Sequence, residues 1–361
     1  MSRPKIADPP ETISVRPEED FDRTRLAEYL RGKLPGSEGP LEVLQFAGGH
    51  ANLTYLLRYG ETEYVLRRPP LGPVPPGAHD MGREYRVLSV LYRAYPYAPR
   101  AYLYCDDPSV IGAPFFVMER RHGIVVRRTI PPEFGGGEDA GTNRKISEVL
   151  IDKLAELHEV DYRAVGLEKL GKPEGFLRRQ VEGWKARYER SKTKEQPLVD
   201  ELYRWLDEHL PPSPPPTLLH NDWRLDNIML DARDPGRCAA VFDWDMCTVG
   251  DPLADVGTLF SLWVEAGEGF DDAPPVGMPS TVPGFLRRRE ALERYARIRG
   301  VDVSRVPYYY VFGLFKIGVV LQQIYYRYAR GQTHDERFRT FGQLAELLFE
   351  IAHERSRTPS V

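Results

Sequence analysis

His220-Asn221-Asp222-Trp223-Arg224-Leu225-Asp226-Asn227 is followed further along the chain by Val241-Phe242-Asp243-Trp244-Asp245. These two stretches decide the reading of the fold. They supply a histidine, an aspartate, an asparagine five residues after that aspartate, and a last aspartate closing an apolar, β-like run. Phosphoryl transfer from a magnesium nucleotide needs such a set. One carboxylate takes or orients the proton of the acceptor hydroxyl, while an amide oxygen and a second carboxylate hold the metal against the phosphates.

Asp222 is the candidate catalytic base. It follows the apolar pair Leu218-Leu219, which anchors its loop in packed structure, and rigid positioning provides much of the catalysis in this chemistry. His220 is expected to fix the loop by hydrogen bonds. Asn227 offers an amide oxygen that binds Mg²⁺ without adding charge, and magnesium prefers oxygen donors from one or two protein groups plus phosphates. Residues 228–230 and 239–242 read as a hairpin around the turn at 231–237. Period-two alternation then puts Asp243 and Asp245 on one face and Trp244 on the other. Asp243 is the expected main metal ligand, with Asp245 a second metal-site group.

Working outward, residues 252–264 open with Asp251 before Pro252, the signature of a helix start. Asp251 is expected to cap that helix and Asp255 to anchor the catalytic loop. Other helical patterns cover residues 146–157, 175–190, 198–210, 286–297, 307–330 and 335–353. Glycine-rich 135–137 and the Gly-, Pro- and Asp-rich stretch 267–283 read as loops.

The first third is different. Residues 41–46, 53–59 and 63–67 read as strands, 81–95 as a helix, and 102–104 and 114–118 as strands, with a short amphipathic helix at 21–30 before them. That order is expected of a small lobe on an antiparallel sheet. Gly48, Gly49 and Asn52 lie in a turn whose backbone N–H groups suit phosphates. A plain hairpin turn explains the same glycines. On the third strand, alternation places Val65 and Arg67 on one face, Val65 to pack on a base and Arg67 to reach phosphates. Arg68 is then expected to be exposed, although a swap of roles with Arg67 stays open. Glu84 on the following helix is placed to hold Arg67. Met118 and Glu119 end the last strand, where a hinge would offer backbone groups to the adenine edge.

The whole chain has 361 residues, enough for two lobes. Residues 1–119 are expected to form the nucleotide-binding lobe and 120–361 the catalytic and substrate-binding lobe. A hydrophobic content of 42% with 28% charged residues fits a soluble globular chain. The net charge of −4 gives no support to nucleic-acid binding. Cys105, Cys238 and Cys247 have no metal-ligand spacing, which fits a reducing cytoplasm. The apolar run 306–324 is interrupted by Gly313, Lys316 and Gly318 and reads as a buried helix, so no membrane span is expected. Oligomeric state is not legible.

On the strings Gly49-His50-Ala51-Asn52-Leu53-Thr54-Tyr55, Tyr64-Val65-Leu66-Arg67-Arg68-Pro69-Pro70, Arg83-Glu84-Tyr85, His220 to Asn227 and Asp243 to Asp255, the chain resembles the aminoglycoside/choline phosphotransferase family. It is similar in particular to the kinase-like domain that accompanies some acyl-CoA dehydrogenases, and to bacterial stand-alone relatives that carry the aminoglycoside label. The resemblance covers residues 19–353. It implies an α+β, protein-kinase-like two-lobe fold with a small antiparallel-sheet N-lobe and a mainly helical C-lobe. It also implies ATP and Mg²⁺ as cofactors, Asp222 as base, Asn227 and Asp243 as magnesium ligands, and Arg67 as phosphate contact with Glu84 its partner. Two departures stand out: arginine replaces the lysine of kinase strands, and Ala51 replaces an expected serine.

The implied acceptor is a small-molecule hydroxyl. The subgroup points to hydroxyacyl-CoA, for which Arg178-Arg179 and Arg287-Arg288-Arg289 offer cations. An aminoglycoside would need acids such as Glu265, Glu268, Asp271 and Asp272. A non-catalytic nucleotide-binding protein is the alternative outside enzymes, and the joint presence of Asp222, Asn227 and Asp243 argues against it. A protein kinase is disfavoured because Trp244-Asp245 stands where Phe-Gly is expected and no Ala-Pro-Glu follows.

Overall fold

The computed structural model describes residues 11–47, 52–71, 80–268 and 277–358. The chain divides into two compact units: residues up to His122 together with Phe242–Asp245, and Gly123–Val241 with Met246–Val361.

The first unit is built on six strands. β1 (Thr12–Ile13) precedes α1 (Arg23–Leu30), β2 (Glu42–Phe46), β3 (Leu53–Tyr59), β4 (Thr62–Arg68), α2 (Met81–Leu91), β5 (Ala101–Cys105) and β6 (Phe115–Glu119). The sheet order is β1-β2-β3-β4-β6-β5, with every neighbouring pair antiparallel. β1 is only two residues long and shows no periodicity in the sequence. Tyr55, Leu57, Tyr64, Leu66, Phe115 and Val117 share one core with Leu26 and Leu30 of α1. Both helices start on capping aspartates. Asp22 accepts from Arg25 N at 2.9 Å and Asp80 from Arg83 N at 2.9 Å, each satisfying an N–H that the first turn leaves unpaired.

The second unit is mainly helical. Its small sheets use β7 (Ile124–Val125), β8 (Thr217–Leu219), β9 (Ile228–Leu230), β10 (Cys238–Val241) and β11 (Thr248–Gly250), in the orders β10-β9-β7 and β11-β8. Its helices are α3 (Ala140–Glu159), α4 (Phe176–Ser191), α5 (Pro197–Glu208), α6 (Pro252–Ser261), α7 (Arg288–Arg299), α8 (Val306–Ala329) and α9 (Phe341–Arg357). Asp251 caps α6, accepting from Leu253 N at 3.0 Å with Pro252 in the first turn, as the sequence pattern predicts.

Backbone crowding sets the crossing of α6 and α8. A Cβ on Gly257 would fall 2.1 Å from the Tyr309 carbonyl oxygen, and one on Gly313 2.3 Å from the Gly257 carbonyl oxygen. Only hydrogen fits at either place. α8 is therefore a buried helix, and no described helix is long and apolar enough to cross a membrane.

Candidate functional site

In the second unit, β8 delivers the chain into His220 and β9 takes it up again at Ile228. Between them the loop is fastened at every turn. His220 is fully buried. Its backbone N–H and that of Asn221 donate to the two oxygens of Asp255, at 2.8 Å each. His220 Nδ1 accepts from Asp222 N at 3.3 Å. Buried Trp223 donates its indole N–H to Leu150 O on α3 at 2.9 Å. Asn221 takes φ 66°, a left-handed conformation uncommon for a residue with a side chain. It is held there by Lys316 Nζ, which donates to its carbonyl oxygen at 2.7 Å, and by its own amide, which donates to Met246 O at 2.9 Å.

The result is a half-buried Asp222 with a directed carboxylate. Asn227 Nδ2 donates to Asp222 Oδ2 at 3.0 Å and to Asp222 O at 2.8 Å. The nitrogen end of that amide is thereby committed. Its Oδ1 accepts no hydrogen bond among the described residues, which leaves an oxygen donor of the kind magnesium takes.

Asp255 is almost wholly buried. Burial alone would raise its carboxyl, but the hydrogen bonds from His158 and the backbone N–H groups hold it below the ordinary aspartate value. Burial pushes His158 below the ordinary histidine value, against the pull of Asp255. The imidazole is thus neutral, with Nε2 donating to Asp255 at 3.4 Å and Nδ1 accepting from Tyr295 at 2.7 Å. Asp251 accepts from the Tyr309 hydroxyl at 2.6 Å.

In the first unit, β4 carries Val65 and Arg67 on one face and Tyr64, Leu66 and Arg68 on the other. Arg67 Nη1 donates to Glu84 Oε1 at 2.5 Å and Nη2 to Asp243 Oδ1 at 3.1 Å. Glu84 is fully buried, and desolvation pushes its carboxyl up to about 8 despite the adjacent guanidinium. Burial would lower Arg67, but Glu84 and Asp243 outweigh it and keep the guanidinium charged. Arg68 is not exposed, as alternation predicts, but buried. It donates to Ile111 O at 3.0 Å and lies 5.7 Å from the Phe21 ring. β4 is buried on both faces from Tyr64 to Arg68, so alternation does not separate a buried arginine from an exposed one. The contacts favour Arg67 over Arg68 as the group aimed at the acidic cluster.

Asp243 has φ 67°, the second left-handed non-glycine among the described residues, and Asp245 is half-buried nearby in sequence. The strand ends at Val241, so the period-two argument for 243–245 does not apply to the real backbone. Trp244 is nevertheless fully buried, its ring 5.9 Å from that of Tyr95. Asp243 and Asp245 both act electrostatically on Arg67. Carboxylate oxygens are donors of the kind that a hard cation shared with phosphates takes. Among the described residues no three His, Cys, Asp or Glu side chains group as a metal cage.

Val65 pairs with Met118 and with Leu56, so three apolar side chains share one face of the sheet. Leu56 was missed in the sequence, although period two on β3 would have found it. Glu119 is half-buried. Its backbone N–H already donates to Arg100 O at 2.8 Å, which removes one of the hinge groups expected to meet adenine. Asn52 is buried at the start of β3, whereas Gly48, Gly49 and Ala51 lie outside the described residues.

The chain is 34% identical to acyl-CoA dehydrogenase family member 11 of Gallus gallus, over 96% of this chain and 45% of that protein. It is 32% identical to family member 10 of Mus musculus, over 95% of this chain and 32% of that protein. It thus spans less than half the length of these curated relatives. A Ralstonia eutropha crystal structure described as a candidate aminoglycoside phosphotransferase superposes with a TM-score of 0.81 at 29% identity, covering 95% of this chain and 100% of that one. The architecture is the protein-kinase-like α+β fold, with an antiparallel-sheet unit and a helical unit. The family model of the phosphotransferase enzyme family matches residues 42–300, and the chain belongs to that family.

Proposed function

We propose that the protein transfers the terminal phosphoryl group of Mg-ATP to the hydroxyl of a small molecule, and that the acceptor is a hydroxyacyl-CoA. The observation that carries the reaction type is the directed Asp222 carboxylate, fixed by Asn227 and by a loop with buried anchors. In this reading residues 1–119 bind nucleotide and 120–361 carry the base and the acceptor. Asp222 accepts the hydroxyl proton. Asn227 and Asp243 hold magnesium, with Asp245 supporting them, and Arg67, steadied by Glu84, meets the phosphates. Magnesium, when bound, offsets the charge of the phosphate oxygens. Leu56, Val65 and Met118 supply an apolar bed for the base.

The acyl-CoA part rests on the relatives, two of which are named as acyl-CoA dehydrogenase family members. Of the acidic residues that would serve a polycationic aminoglycoside, Asp271 and Asp272 lie outside the described residues, and Glu265 and Glu268 support that acceptor poorly. Glu268 is paired with Arg288 and Arg355, and Glu265 accepts from Arg288 N at 2.6 Å.

The test is phosphate transfer from Mg-ATP across hydroxyacyl-CoAs, aminoglycosides, choline and homoserine, with Asp222→Ala as control. Turnover confined to the hydroxyacyl-CoAs and lost in the control supports the proposal. Turnover that survives Asp222→Ala sinks the mechanism. Binding of Mg-ATP without turnover of any acceptor favours a non-catalytic nucleotide-binding protein.

A further inference from the structure

Helices α4 and α8 bring two cations to one indole. Arg187 Cζ lies 4.6 Å from the ring centroid of Trp184, three residues earlier on α4, and Lys316 Nζ of α8 lies 5.9 Å from the same centroid. Trp184 is buried, so the platform is fixed. Gln322, further along α8, donates to Ser191 O at 2.8 Å at the end of α4 and keeps the two helices in register. Lys316 is 6% exposed and reaches Asn221 O, next to Asp222. The indole and its cations therefore stand beside the catalytic loop.

The two cations lack an acid of their own. Arg187 is half-buried, yet among the described residues it makes neither an ion pair nor a side-chain hydrogen bond. Other arginines of this unit do: Arg178 pairs with Asp207, Arg288 with Glu268, Arg294 with Asp152 and Arg299 with Glu159. Lys316 touches only neutral oxygens, Asn221 O and Thr258 Oγ1. Burial and Arg190 push Arg187 down, and burial with Arg187 pushes Lys316 down while Asp255 and Asp222 oppose. Partly desolvated cations that repel one another cost free energy unless an anion completes them.

We propose that Arg187 and Lys316, set against Trp184, form a subsite for an anionic oxygen group of the acceptor, a phosphate or a carboxylate. This subsite rests on the phosphotransfer reading for its role, and it gives that reading a substrate class: acceptors that carry an anionic oxygen group in addition to the reacting hydroxyl. The guanidinium fork suits either anion. A polycationic acceptor would be repelled.

Binding and turnover test it separately. Inorganic pyrophosphate, without magnesium, is titrated into the wild type, Arg187→Glu, Arg187→Gln and the control Arg294→Gln by calorimetry. Affinity is expected to fall about tenfold in both Arg187 variants, which is about 1.4 kcal/mol, and to hold in Arg294→Gln. Equal affinity in wild type and Arg187→Glu overturns the proposal. In turnover, Arg187→Gln should raise KM for a hydroxyacyl-CoA about tenfold with a smaller change in kcat, KM for ATP should stay put, and Arg187→Lys should recover part of the loss. The thioester has no free carboxylate, so a rise confined to the thioester identifies a CoA phosphate and a rise confined to the free hydroxy acid identifies a carboxylate. A KM unmoved for both overturns the subsite. Absence of turnover with every acceptor would count against the phosphotransfer reading alone, since the pyrophosphate comparison still decides the subsite.

Discussion

Asp255 holds both backbone N–H groups of His220 and Asn221, one on each carboxylate oxygen, at 2.8 Å. A single buried side chain on α6 thus sets the path of the loop just before Asp222. The contact needs two acceptor oxygens on one group, which an amide lacks. Asp255→Asn would turn an NH₂ toward a backbone N–H. It is expected to lower stability by about 3 kcal/mol and to reduce kcat more than it raises KM for ATP. Denaturant titration and steady-state kinetics read both, and a variant with wild-type kcat would refute this role.

The same cluster predicts a pH response. The folded protein holds His158 below its ordinary value of 6.5 and Asp255 below 3.8. For both groups the unfolded chain binds the proton more readily. Stability is therefore full above the unfolded values and is lost as pH falls, first below about 6.5 through His158 and again below 3.8 through Asp255. His158→Gln keeps an amide donor for Asp255 and removes the titrating ring. Its unfolding free energy should change less between pH 7.5 and pH 5.5 than that of the wild type, on the order of 1 kcal/mol less. Parallel curves would show that His158 is not the acid-sensitive group.

Arg67 spans Glu84 and Asp243 with two different nitrogens. An ammonium is a single point and cannot make that span with the same fork. Arg67→Lys is expected to raise KM for ATP about fivefold, with kcat reduced less, and Arg67→Ala to weaken nucleotide binding further. Nucleotide affinity measured by calorimetry gives the direct readout. Equal affinity in Arg67→Ala and wild type would remove Arg67 from the nucleotide site.

Much of this arrangement was readable from residue order, and the failures have physical causes. β3 was legible because apolar residues recur at Leu53, Tyr55, Leu57 and Tyr59, and residues 63–67 of β4 because Tyr64-Val65-Leu66 is a short apolar run of strand-forming types ended by prolines. The loop from His220 to Asn227 was legible because its residue types have few other reasons to stand at that spacing. β7, β8 and β11 are two or three residues long and pair with partners far away in sequence, so no local period marks them. Arg68 misled because α1 covers the sheet face that would otherwise meet solvent. Lys316 in the sequence is only a polar break in an apolar run. Its meaning comes from the crossing of α8 with α6, which no single-helix pattern contains.

That crossing yields the last prediction. Gly257 and Gly313 let α6 and α8 touch backbone to backbone. One helix carries Asp255 and the other Lys316, the two side chains that grip the loop at Asn221 from its N–H and its carbonyl. A methyl at Gly313 would meet the Gly257 carbonyl, which is backbone and cannot rotate away. Gly313→Ala is expected to push the helices apart, at a cost of about 2 kcal/mol, and to slacken both grips together. Activity should fall more than the loss of stability explains at a temperature where the variant is fully folded, while nucleotide affinity holds. Gly300→Ala, at the end of α7, is the contrast. A Cβ there meets nothing within 4 Å, although its φ of 61° strains the backbone. It should lower stability and leave kcat of the folded enzyme in place. If Gly313→Ala likewise lost only stability, the α6–α8 contact would be packing with no part in holding the loop.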